Sequence, residues 1–124
     1  MTTYSILQYV VSPYTDERIN LGILLSDGER TEWRVSDKRL DVLKLLRGTV
    51  AYNLVKRISD GLSANEQLRR DIMQPSQLAY LRRYANNLIT VSESSQTNLP
   101  LDARLTNQLY SQMVDGEVRH ESGA

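Results

Sequence analysis

The residues of this chain that could do chemistry are few and scattered. Its single histidine, His120, stands beside Glu121 close to the C-terminal end, where nothing would hold an imidazole against a substrate. Cysteine is absent, which excludes thiolate catalysis, disulfides and the usual zinc ligand sets. A Ser-His-Asp arrangement would have to recruit the same terminal histidine. The carboxylates Asp16, Glu17, Asp27 and Glu29 flank one strand-like segment, and a strand of that length holds the two pairs about 30 Å apart. They form no shared metal site unless the fold brings other ligands to them. The six glycines fit neither the dinucleotide fingerprint nor the phosphate-loop pattern. No catalytic residue, metal or cofactor is therefore assigned. Magnesium nucleases, which work with carboxylates and a lysine alone, stay open.

Basic side chains are the next candidates. Lys38-Arg39, Lys56-Arg57, Arg69-Arg70 and Arg82-Arg83 each fall in a helical pattern, and Arg outnumbers Lys twelve to three. Arg favours bidentate contacts to phosphate or carboxylate. The chain is neutral as a whole, yet residues 34–83 hold eleven basic side chains against five acidic ones. Residues 1–33 and 84–124 each hold two basic against five acidic. Such a middle can attract a polyanion or an acidic protein face. It can equally be solvated or paired internally with Asp41, Asp60 and Asp71.

The elements that must position these groups are legible in the periodicity. Residues 4–11 alternate as a strand, with Tyr4, Ile6 and Val10 on one face and Leu7, Tyr9 and Val11 on the other. Apolar groups on both faces call for cover on both sides. A turn over residues 12–16 leads to a second strand over residues 18–25, and Asp27-Gly28 turns into a third over residues 31–35. Asn20 and Gly22 interrupt the second strand, which predicts a bulge or the close approach of another backbone, with Asn20 bonding neighbouring backbone there.

The helical middle starts on Ser36 or Asp37 as N-cap, buries Leu40, Leu43 and Leu46, and breaks at Gly48. A second helix follows with Ala51, Leu54, Val55, Ile58 and Leu62 inward. Ser63 and Glu66 have capping-box spacing for a short third helix with Leu68 and Ile72 inward. Pro75 opens a further helix with Leu78, Leu81, Ala85 and Leu88 as its stripe, and Asn86-Asn87 marks its end. A short strand over residues 88–92, a polar loop to Pro100 and a helix from Asp102 to Val114 complete the chain. The predicted fold is a single α+β domain over residues 1–114, with an antiparallel sheet of three to four strands and four to five helices. Residues 115–124 read as a disordered tail. At 124 residues one core is the expectation. With no signal-like start and no long apolar run, a soluble cytoplasmic protein is expected.

The segments Tyr4-Ser5-Ile6-Leu7-Gln8-Tyr9-Val10 and Glu17-Arg18-Ile19-Asn20-Leu21-Gly22-Ile23-Leu24-Leu25 resemble the bacterial family filed as domain of unknown function 3037. The resemblance points to Tyr4, Gln8, Glu17, Asn20 and Gly22 as the family-specific positions. Members often carry Arg where this chain has Gln8; if that Arg pairs with the carboxylate matching Glu17, the pair is missing here. Members are also often encoded beside a HipA-like kinase. The resemblance thus implies a small regulatory partner in a toxin–antitoxin or phage-defence type of module.

The leading expectation is a non-enzymatic interaction module that meets a protein partner through its Tyr-rich sheet or its basic helices. Nucleic-acid binding through Lys38, Arg39, Lys56, Arg57, Arg69, Arg70, Arg82 and Arg83, with or without metal-dependent cleavage, is the second. A small enzyme centred on Glu17 and Asn20 beside a Tyr is the third. Self-association is left open.

Overall fold

The computed structural model describes residues 1–12, 14–15, 17–72, 74–84, 88–92 and 94–114. Three strands come first: β1 (Thr2–Ser12), β2 (Glu17–Ser26) and β3 (Thr31–Val35). The helices α1 (Asp37–Ala64), α2 (Glu66–Asp71) and α3 (Pro75–Tyr84) follow, then β4 (Ile89–Val91), β5 (Ser95–Thr97) and α4 (Ala103–Met113). All strand pairings are antiparallel, in the order β3-β2-β1-β4, with β5 beside the first residues of β1. The α+β class holds, with five strands and four helices among the described residues.

β5 is the strand that the sequence does not announce. Ser95, Gln96 and Thr97 are polar and mostly exposed, so no apolar alternation marks them. They are held by register alone, Thr2 opposite Thr97 and Tyr4 opposite Ser95. The buried Thr2 hydroxyl adds a bond to the Leu99 carbonyl at 2.9 Å.

Both faces of the sheet are covered, as the alternation of β1 requires. Leu7 and Tyr9 join Ile19, Leu21 and Leu24 in a core closed by Leu40, Leu43, Val55 and Leu62 from α1, Ile72 just after α2, and Leu81 from α3. On the opposite face Ile6, Ile23 and Leu25 pack under Leu101, Leu105 and Leu109 of α4 and the residues before it. The Tyr-rich sheet is therefore interior: Tyr9 is buried and Tyr4 half-buried.

The bulge falls where expected. Gln8 pairs with Asn20 while Leu7 pairs with Gly22, leaving Leu21 as the extra residue of β2. One inserted residue resets the alternation. Ile19 and Leu21 face the α1 side before it, and Leu24 does so after it.

α1 is one element by its hydrogen bonds but two by its path. Gly48 takes φ 88° and ψ −178° inside it, a left-handed backbone that glycine adopts without penalty. Ser36 caps its start, accepting from the Arg39 amide at 3.1 Å. Two expectations need correction. Leu46 is 58% exposed, because it lies about 120° around the helix from Leu40 at 100° per residue. The cap of α2 is Asn65, not Ser63, since α1 continues through Ala64 and the Asn65 side chain accepts from Leu68 at 3.1 Å. Pro75 starts α3, and Asp102 caps α4 by accepting from Leu105 at 2.8 Å. Pro13, Asp16, Asn86-Asn87 and the tail with His120 lie outside the described residues.

The β2–β3 turn supplies a pH test. The Asp27 carboxylate accepts from the Arg30 amide at 2.7 Å and the Glu29 amide at 2.9 Å. These bonds, the Arg30 one first, hold its pKa below the usual aspartate value. A depressed folded pKa means that the turn's contribution is present above the unfolded value and is lost as pH falls through the folded one. Carboxyl-detected NMR is expected to show Asp27 titrating at lower pH than in an Asp27-containing turn peptide. Equal midpoints would show that the bonds are not held in solution.

Candidate functional site

Tyr4, Gln8, Glu17, Asn20 and Gly22 do not form one constellation. Gln8 and Asn20 are opposite each other on β1 and β2, and the Gln8 amide donates to Asn20 Oδ1 at 2.9 Å. Arg18, on the same face, donates to Gln8 Oε1 at 3.3 Å. The Asn20 amide donates to the Met113 carbonyl at 2.8 Å, in the last turn of α4. The expectation that Asn20 bonds backbone is met, but the backbone is that of α4, distant in sequence. Glu17 stands apart. It is exposed, sits opposite Ser12 and accepts from the Thr15 hydroxyl at 2.9 Å. Ser12 lies four positions from Gln8 on β1, about 13 Å along a strand, so Gln8 is not the neighbour of Glu17. Tyr4 lies toward the other end of β1, opposite Leu25.

Gly22 is explained by crowding. A Cβ built there would lie 2.4 Å from Trp33 Cη2 and 2.7 Å from the Arg34 carbonyl oxygen. Leu21 and Gly22 are consecutive across the bulge, and the Trp33 ring occupies the space over the glycine. The indole N–H reaches Ser59 of α1 at 3.3 Å, which anchors the ring between sheet and helix. The bulge, the glycine and the tryptophan form one packing device.

The basic pairs are put to separate uses. Arg69 is turned into the fold, donating to Thr31 Oγ1 at 2.8 Å and to the Leu62 carbonyl at 2.7 Å. Arg70 donates to the Glu29 carbonyl and lies 3.7 Å from Glu66. Lys56 pairs with Asp60 at 3.3 Å, which raises its pKa. Arg57 lines a small apolar hollow with Ile58, Leu68, Ile72, Gln77, Tyr80 and Leu81. Arg83 is exposed on α3, and Arg82 lies on the same helix with its side chain outside the described atoms. Lys38 and Arg39 line a groove with Ile19, Val42 and Leu46. Among the described residues no group of three or more His, Asp or Glu side chains could hold a metal ion. No helix among them is long and apolar enough to cross a membrane.

That groove opens beside the feature that sequence reasoning missed. Along α1, Val42 is 40%, Leu45 88%, Leu46 58% and Val50 84% exposed. The inward side of the first half is satisfied by Leu40 and Leu43, so these aliphatics have no counterpart in the core. The signal was present in the consecutive Leu45-Leu46 pair, since one helix face cannot bury both together with Leu40 and Leu43. No family model, no curated protein and no solved structure matches the chain.

Proposed function

We propose that this chain is a small non-enzymatic interaction or regulatory module, and that it meets its protein partner on the exposed aliphatic face of α1. The observation that carries the reading is the exposure of Val42, Leu45, Leu46 and Val50 in one helical element. Single exposed aliphatics are ordinary, but neighbouring ones mark surfaces that another molecule covers. Val42, Leu45 and Leu46 precede the break at Gly48, and Val50 follows it. The resemblance described above supports the same reading and makes a HipA-like kinase of a toxin–antitoxin or defence-type module the first partner to try.

The test compares the wild-type chain with Leu45→Asp, whose side chain is 88% exposed and whose replacement is expected to leave the melting temperature nearly unchanged. Each tagged protein is used to capture partners from the native host, and also a co-expressed HipA-like kinase. The expected result is a partner retained by the wild type and lost by Leu45→Asp. Identical captured sets would overturn the reading.

A further inference from the structure

Beyond the break at Gly48, three helices enclose the apolar hollow beside Arg57, whose volume is about 180 Å³. Its floor and walls are aliphatic: Ile72 and Leu81 are buried, Ile58 and Leu68 half-buried. Leu68 and Ile72 are four positions apart, and Gln77, Tyr80 and Leu81 stand at helical spacing on α3, so each element turns one face inward. Arg57, Gln77 and Tyr80 are exposed at the rim. Arg57 has no hydrogen bond or ion pair among the described residues. The carboxylates on the surrounding elements are engaged elsewhere. Asp60 pairs with Lys56 at 3.3 Å, Glu66 with Arg70 at 3.7 Å, and Asp71 accepts from the Gln67 amide at 2.8 Å. α3 carries no acidic residue. An apolar hollow thus has one guanidinium at its mouth and no carboxylate among its lining residues.

We propose that this hollow binds a small carboxylate with an aromatic or branched aliphatic body, the body resting on Ile72 and Leu81 and the carboxylate on Arg57. A few placed polar groups around an apolar lining are the usual make-up of a small-ligand site. The volume sets the size, since a cavity of about 150 Å³ holds one benzene ring. The lone guanidinium sets the charge. Its fork matches a single carboxylate, whereas the second charge of a phosphate would find no other cation in the lining. The hollow shares no residue with the exposed aliphatic face of α1, so either reading can fail without the other.

The probes are phenylacetate, phenylacetamide, acetate and acetyl-Ala-Phe with a free carboxyl group, each titrated at neutral pH into the full chain labelled for amide NMR. Phenylacetate is expected to shift the amides of Ile58, Leu68, Ile72 and Leu81 saturably, with a Kd on the order of 1 mM, and to weaken with added salt. Phenylacetamide keeps the ring without the charge, and acetate keeps the charge without the ring. Both are expected to bind at least about fivefold more weakly. Arg57→Gln is expected to cost phenylacetate about fivefold in affinity at an unchanged melting temperature, because the side chain is exposed. The comparison of phenylacetate with phenylacetamide needs no variant and decides the matter on the wild type. Four results would overturn the proposal: no saturable shift with phenylacetate up to about 20 mM, equal binding of phenylacetamide, equal affinity in a folded Arg57→Gln variant, or tighter binding of acetyl-Ala-Phe. The last would give the hollow to a polypeptide C-terminus instead.

Discussion

Gly22→Ala is expected to lower the stability of the fold by about 3 kcal/mol, seen as a fall in melting temperature of about 10 °C. The added methyl would sit 2.4 Å from Trp33 Cη2 and 2.7 Å from the Arg34 carbonyl oxygen, both far inside van der Waals contact. Neither neighbour yields easily. Arg34 is in β3, whose pairing with Ile23 fixes its backbone, and the Trp33 ring is tied to Ser59 and packed on the core. The mechanism has its own control. Trp33→Phe withdraws the outer ring that the methyl strikes, so the double variant is expected to lose at least about 1 kcal/mol less than the sum of the singles. Additive losses, measured by denaturant unfolding, would show that Trp33 is not the obstacle.

Asn20→Ala is expected to cost about 2 kcal/mol while leaving partner capture intact at temperatures where the variant is folded. The substitution removes the bond from Gln8 at 2.9 Å and the bond to the Met113 carbonyl at 2.8 Å. It strips one carbonyl in the last turn of α4 of its donor, and a half-buried acceptor left without a partner is costly. Asn20→Asp discriminates between the two bonds. It keeps an acceptor for Gln8 but, when ionised, has no proton for Met113, so it is expected to resemble the alanine variant near neutral pH. Loss of partner capture with wild-type melting would contradict this structural assignment and return Asn20 to the list of functional groups.

How much of this was legible in the sequence depended on whether a feature is local. β1 was readable because Tyr4, Ile6 and Val10 alternate with Leu7, Tyr9 and Val11, and period-two apolarity on both faces has one reading, a strand covered on both sides. The Asp27-Gly28 turn, a cap at Ser36 or Asp37, the break at Gly48 and the start of α3 at Pro75 were readable for the same reason. Each is a backbone requirement met by the residue itself. The bulge was readable as an irregularity at Asn20 and Gly22, but its purpose was not.

What the tertiary structure decided were the matters of which groups meet. It brought the Trp33 ring over Gly22, and it joined Asn20 to the end of α4 across 93 positions of sequence. It separated Glu17 from Gln8 by register, directed Arg69 into the fold and not toward a ligand, and paired polar β5 with the start of β1. It also left Leu46 in water, although its spacing with Leu40 and Leu43 reads as core. Apolar periodicity states which residues seek cover, but only the packed arrangement of helices on the sheet states where cover runs out. The surface proposed here for a partner is the place where it does.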